Sequence, residues 1–425
     1  MKHTITPLNR LLLLTLAVTL TIAAGAAEVT IPDPGLEWAM RYAPGIRPTA
    51  PIRTSALRKI PALYAPVREI ADLTGLEYCM GLTKLNLHFN HISDITSLQG
   101  LTILEELNLS HNRVNDLSPL QGLTSLTYLI LGRNGISDLT PLAGLTSLTK
   151  LNLWNNQVSD LTPLQGLTSL TDLQLHDNQI SNLTPLRGLT VLTSLHLAEN
   201  QISDLTPLAA LTSLTELYLY DNQISDLTPL AALTSLTYLD VHDTQISDIT
   251  PLAGLTSLEE LWLEGNQIID ITPLQGLTKL ELLYLDENQV SDLAPLQDLA
   301  GLMELNLEKN DLSDLTPLQG LTKLELLALR NNQIRDLTPL AGLTSLRNLD
   351  LSKNCISDLS PLLGLSTLRS LYIDLNPLSN TAFTVQIPQL ESNGVNVDFQ
   401  TYSDDNCPSS EGELPVEGEG NRKRL

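Results

Sequence analysis

The chain has 425 residues, 42% of them hydrophobic, enough for a substantial buried core, and a formal net charge of −24. So strong an acidic balance excludes nucleic acid as a partner class, because phosphate binding needs a basic face, and it favours partners with exposed Lys and Arg. Three cysteines, Cys79, Cys355 and Cys407, are too few for a disulfide framework, and metal-ligand spacings are missing, so neither metal nor cofactor is expected.

Residues 1–26 read as a secretory signal. Lys2 and Arg10 flank a polar segment, LLLLTLAVTLTIA follows as an apolar run too short to span a bilayer, and Ala24-Gly25-Ala26 matches a small-residue cleavage site. A secreted, surface-held or periplasmic mature chain is expected, with no membrane span. Residues 27–81 read as an N-terminal cap with a degenerate repeat. Leu36, Ala39 and Met40 stand at helical spacing after Pro32-Asp33-Pro34, and Ile70, Asp72, Leu73 and Leu76 keep the repeat register that follows. Cys79 takes a leucine position and is expected to be a buried thiol.

From Leu82 the chain repeats every 22 residues without insertion, giving fourteen copies over 82–379 with the consensus LxxLxLxxNQISDLTPLAGLTS. This is the leucine-rich-repeat signature, in which each copy contributes a strand and a tighter outer segment to a stack. In the copy Leu214–Ser235, Leu217 and Leu219 alternate with Glu216, Tyr218 and Tyr220, the two-residue period of a half-buried strand. Asn222 ends the strand as an inward amide able to bond backbone groups at the turn. Asp226, ahead of Thr-Pro-Leu, is expected to cap a short 3₁₀-like turn. Asp recurs there in twelve of the thirteen copies from Asp94 to Asp358, with Asn182 the exception, so those acids belong to the scaffold.

These repeats resemble the 22-residue leucine-rich repeats of bacterial internalin-like proteins and of a eukaryotic phosphatase-regulating relative. The resemblance covers 82–379 almost completely, and the segment around Leu36–Met40 resembles the helical N-terminal cap of that family. The expected fold is an α/β solenoid, a leucine-rich-repeat horseshoe with a parallel concave sheet and 3₁₀-like convex turns, capped at both ends.

Residues 380–400 read as the C-terminal cap: a helix around Phe383–Leu390, a turn at Asn393-Gly394 and a strand through Val395, Val397 and Phe399. Residues 401–425 read as an acidic disordered tail. Leu414-Pro415-Val416-Glu417-Gly418 has Glu417 where a cell-wall sorting motif needs Thr, so covalent wall anchoring is not expected.

Packing dictates the repeated positions, so partner information must lie in the variable ones. The nine aromatic residues within 82–379 all fall on the third, fifth, seventh and eighth positions of a copy, the outward strand positions, and none fills the core. Exposed Trp and Tyr there have the character of binding hot spots, although aromatic residues also stabilise sheet faces. Copies five to ten add eleven acids and no Lys or Arg at the same positions, while Lys84, Arg133, Lys150, Lys309, Arg330 and Lys353 lie towards the ends. The candidate partner-binding residues are Trp154, Asp177, Tyr218, Tyr220, Asp221, Tyr238, Asp243, Trp262, Glu264 and Tyr284. His176, His196 and His242 share the face, where neighbouring carboxylates would raise their pKa.

Together these features predict an exported, non-enzymatic recognition protein for a protein or peptide with a basic surface. A glycan is the alternative ligand, since Trp and Tyr beside carboxylates also hold sugars. No nucleophile constellation or phosphate loop is present, and no catalytic residue is expected.

Overall fold

The computed structural model describes residues 27–43 and 46–399; the expected signal segment and acidic tail, with Cys407, lie outside them. The described residues fall into two compact units that part between Ile224 and Ser225.

In the first unit, eight strands run from Ala62–Tyr64 to Glu216–Tyr218. They pair in parallel with a constant step of 22 residues, as in Leu107↔Leu129 and Leu195↔Leu217. Each strand is three residues long because the copy must turn at once towards its outer segment. Leu217 and Leu219 are fully buried, and so are Leu205, Leu208, Leu211 and Leu214 of the same stack. The hydrophobic effect acting on these apolar side chains holds one copy on the next. Helix α1 (Pro34–Arg41) closes the N-terminal end, as expected from Leu36 and Met40, both fully buried. Asp33 fastens it: Oδ1 accepts from the Gly35 and Leu36 amides, and Oδ2 accepts from the Ala71 and Asp72 amides of the degenerate repeat. A second helix, α2 (Thr54–Leu57), has no counterpart in the sequence expectations. Cys79 is fully buried, and burial, followed by the charge of Glu77, pushes its thiol up to about 12.

In the second unit, eight more parallel strands run from Tyr238–Asp240 to Asn396–Asp398. The step is again 22 residues, as in Leu261↔Leu283, until Leu371↔Val397, where it lengthens to 26. That last step accommodates the C-terminal cap. A π-helical turn over Ala382–Gln386 runs into helix α3 (Ile387–Ser392), and Gly394, with φ +86°, turns the chain into the final strand. The helix and strand match expectation, while the π turn was not legible. Cys355 is buried and disulfide-bonded. No helix among the described residues is long and apolar enough to cross a membrane.

Three devices recur within both units. Asn222, 7% exposed, donates Nδ2 to the Leu197, Leu219 and Tyr220 carbonyls and accepts the Ile202 amide on Oδ1. Asn288 does the same with Leu263, Leu285, Asp286 and Ile268. The amide thereby replaces sheet bonds that the turn takes away. The outer segments are 3₁₀ turns such as Thr206–Leu208 and Thr250–Gly254. Each scaffold aspartate lies one residue further out than a helix cap and accepts the amide that opens the turn, as Asp204 does from Thr206 and Asp248 from Thr250, both at 2.8 Å.

The third device is backbone strain. The eighth residue of every copy is left-handed, with φ between 48° and 59° at thirteen non-glycine residues from Phe89 to Leu375 and 64° at Gly265. This conformation disfavours residues that carry a Cβ. It turns the chain sharply out of the strand just before the buried asparagine.

Candidate functional site

The strand face of the first unit carries a run of rings that the individual residues did not reveal. Phe89 stacks on His111 at 3.7 Å, and His111 meets the edge of Trp154 at 5.5 Å. Trp154 then stacks on His176 at 5.5 Å, His176 on His196 at 4.0 Å, and His196 reaches Tyr218 at 4.6 Å and Tyr220 at 5.9 Å. The signal was present in the register. Phe89/His111, Trp154/His176 and His196/Tyr218 are each 22 residues apart; strand pairing sets His196 beside Tyr218 directly, and the same one-copy step brings the other two pairs together just beyond their strands. Gly132 makes room for the run, because a Cβ there would lie 2.1 Å from Trp154 Cδ1 and Nε1.

This packing corrects the expectation of exposed anchors. Trp154, Tyr218 and Tyr220 are half-buried, held by their neighbours rather than free in solvent. It also reverses the expected titration of two histidines. Burial lowers the pKa of His176 despite the charge of Asp177, and burial with the adjacent His176 brings His196 down to about 3. Both rings are neutral at pH 7.

Asp177 and Asp221 lie on the rim of the first unit, on the eighth position with Glu199 between them. Burial, then Asp177 and Asp221, raises the Glu199 pKa, so the stacked acids do act on one another. Asp177 also accepts a hydrogen bond from Asn155. Two of the eleven acids are offset by lysines of adjoining copies, Asp172 by Lys150 at 3.5 Å and, in the second unit, Glu287 by Lys309.

In the second unit, Trp262 and Tyr284 stack at 4.0 Å with their planes 1° apart, both half-buried. The Tyr284 hydroxyl donates to Glu304 Oε2 at 2.8 Å; burial, then that carboxylate, raises its pKa. Tyr238 lies beside Asp240, its hydroxyl 3.5 Å from Oδ2. Asp240 is only 4% exposed, and its Oδ1 is 2.6 Å from His242 Nδ1. That ring nitrogen is also 3.9 Å from Glu264 Oε1, and His242 Nε2 is 3.9 Å from the exposed Asp243. Burial works against protonation of His242, but the Asp240 bond and the charges of Asp240, Glu264 and Asp243 outweigh it and raise the pKa, as expected for this histidine.

Glu264 departs furthest from expectation. It is 7% exposed, and its Oε2 has no hydrogen-bond partner. Burial, reinforced by Asp286 and Asp240, pushes it up to about 7. Two residues along the same column, Glu308 is likewise raised to about 7 by burial, Asp350 and Asp286. That Glu264 is buried and Glu308 half-buried was not legible, because the repeat pattern marks the seventh position only as outward.

The first unit thus presents a neutral ring stack with an acidic rim, and the second an aromatic pair beside an acidic column. Such surfaces offer stacking, hydrogen bonding and negative potential.

Comparison with known proteins agrees with this architecture. The family model of paired leucine-rich repeats matches residues 104–144, 146–188, 190–232, 212–254, 234–276, 256–300 and 301–342, and a single-repeat model matches 342–359. Among solved structures, an internalin (InlF) from Listeria monocytogenes is 38% identical, with 80% of this chain and 95% of that one covered and a TM-score of 0.67. A leucine-rich-repeat protein of Leptospira interrogans (24% identity, 81% and 97% covered, TM-score 0.72) and the functional domain of InlJ from Listeria monocytogenes (24%, 81% and 80%, TM-score 0.67) share the fold. No curated protein gave a match. The chain belongs to the leucine-rich-repeat family and is an internalin-like member of it.

Proposed function

We propose that this chain is an exported, non-enzymatic recognition protein whose strand face binds a protein or peptide with exposed basic side chains. One observation carries the reading: the side chains the solenoid does not need are not scattered polar residues but ordered aromatic and acidic strips. Trp154, Tyr218, Tyr220, Asp177 and Asp221 form the strip of the first unit, and Tyr238, Asp243, Trp262, Glu264 and Tyr284 that of the second. Rigid, half-buried aromatic residues lose little entropy on binding and make strong anchors. The acids supply steering and select for cationic partners. Leucine-rich repeats of this kind generally bind proteins, and the leader-like residues 1–26 support export.

The test is a random-peptide display selection on the folded chain, repeated with Trp154→Ala and Trp262→Ala. Basic peptides should be enriched on the wild type and lose about tenfold or more in capture on at least one variant. Raised salt should slow association, as screened steering requires. Equal capture by all three proteins removes the strand face as the binding surface. The ring stack of the first unit is also a platform on which a sugar could lie. Binding of neutral glycans on an array, insensitive to salt, would replace the protein reading with a carbohydrate one.

A further inference from the structure

We propose that the second unit contains a receptor for a single arginine side chain of the partner, formed by the carboxylates of Glu264, Asp286 and Glu308 beside the stacked rings of Trp262 and Tyr284. This deepens the function proposed above and rests on it for the partner being a protein. The three acids occupy the seventh position of consecutive copies, so the strands set them in a column at steps of about 4.8 Å. Like charges so placed repel, and the column could relieve that only by taking up protons or a cation.

Glu264 points to the cation. It is more than nine-tenths buried, and Oε2 has no donor. An unbonded buried oxygen is costly to keep, and more so when charged. The groups around it do not supply the donor. His242 is engaged by Asp240 at 2.6 Å and stays 3.9 Å from the other Glu264 oxygen. Lys309 and Arg330 attract Glu308 at the far end of the column. Asp286, by contrast, is already oriented, its Oδ1 accepting from Asn306 Nδ2 at 2.9 Å.

The arrangement selects among cations. Among the described residues, Glu264, Asp286 and Glu308 do not bring three ligand atoms close enough together to share a metal ion. The negative charge is drawn out along a line instead, which suits a guanidinium, whose planar fork of five donors can bridge two carboxylates. An ammonium is a compact, strongly hydrated point charge without a planar fork to match two carboxylates. Trp262 and Tyr284, locked face to face and with the Tyr284 hydroxyl bonded to Glu304, wall the column with an apolar ledge for the methylene stem of the arginine. Since Glu264 and Glu308 are held near 7 by burial and their neighbours, loading the column at neutral pH should also expel protons.

The probe is acetyl-Gly-Arg-Gly-amide, compared with its Lys and citrulline counterparts by ligand-observed NMR and calorimetry on the full chain. The arginine peptide should bind about tenfold or more tightly than the citrulline peptide, and more tightly than the lysine one. Its apparent binding enthalpy at pH 7 should differ between buffers of different ionisation enthalpy. Glu264→Gln and Asp286→Asn, which keep shape and remove charge, should each weaken binding about tenfold, whereas Arg187→Ala on an exposed outer turn of the first unit should leave it unchanged. Equal binding of arginine and citrulline peptides, no binding at all, or wild-type affinity in folded Glu264→Gln overturns the receptor. Because the tripeptide needs no wider contact, those results sink the receptor alone; the wider reading falls only with the display selection.

Discussion

Trp154 lies in the notch left by Gly132: a Cβ at residue 132 would stand 2.1 Å from the indole Cδ1 and Nε1. The tryptophan is the link between His111 on one side and His176 on the other. Gly132→Ala should therefore move the indole and break the ring run without unfolding the leucine core. In a Trp38→Phe, Trp262→Phe background, the remaining Trp154 emission should shift to the red, with about 1–3 kcal/mol lost in stability from overpacking. Unchanged emission and unchanged stability would show that the notch does not hold the ring.

The two units should respond to pH in opposite directions. His176 and His196 have folded pKa values below the ordinary 6.5, so the unfolded chain binds protons first and the first unit loses stability as pH falls below about 6.5. Glu264 and Glu308 sit at about 7 against an ordinary 4.5, so the folded second unit binds protons first. It gains stability as pH falls through about 7 and loses it on the way back up, and the raised His242 acts in the same sense. Hydrogen exchange corrected for intrinsic rates should show residues 170–220 opening more easily at pH 5 than at pH 8, and residues 260–310 less easily, by roughly 1–3 kcal/mol. Glu264→Gln with Glu308→Gln should shrink the second trend to the part that His242 contributes. A common shift in both segments would refute the opposition.

A separate acid limit belongs to the outer turns. The Thr hydroxyl and amide beside each of Asp138, Asp204, Asp270 and Asp336 hold its carboxyl below the ordinary range. Their contribution is complete above the unfolded carboxylate pKa and disappears as pH falls through the lower folded values. Replacing Thr206 and Thr272 with Val should move acid unfolding to higher pH in far-UV circular dichroism; an unmoved midpoint rejects the role.

The buried asparagines should be the most sensitive polar positions in the molecule. Asn288→Ala strands the Leu263, Leu285 and Asp286 carbonyls and the Ile268 amide, at a cost of about 2–4 kcal/mol in denaturant unfolding. A loss below about 0.5 kcal/mol would mean that these bonds are easily replaced.

Strain at the eighth position gives a prediction of the opposite sign. Lys353, exposed and at φ 54°, should gain about 0.5 kcal/mol on replacement by Gly and lose more than about 1 kcal/mol on replacement by Val, which tolerates that conformation least. If Val is as stable as Gly, the left-handed turn is not a burden on the fold.

Much of this architecture was legible because leucine packing is periodic and local. Leu217, Asn222 and Asp226 announced strand, turn and outer segment from one copy. The face was legible only as an inventory. That Glu264 is buried while Asp243 is exposed depends on what the adjoining copies place beside them, and no single repeat contains that information. His176 and His196 show the same limit: reading their carboxylate neighbours predicted a raised pKa, whereas the rings stacked on either side removed water and lowered it. Short helices such as Thr54–Leu57 and the π turn at Ala382–Gln386 belong to the caps, where the period stops helping.

The step of 22 residues between paired strands, constant within each unit up to the C-terminal cap, makes the molecule countable. Gain or loss of one whole copy within a unit returns every asparagine to an equivalent carbonyl, whereas a change of 21 or 23 residues would leave the amide facing the wrong one. Length can therefore be inherited in whole numbers, and each added copy brings four outward side chains free to vary. Such a chain can acquire new surface by duplication and then edit it, while the leucines beneath stay as they are.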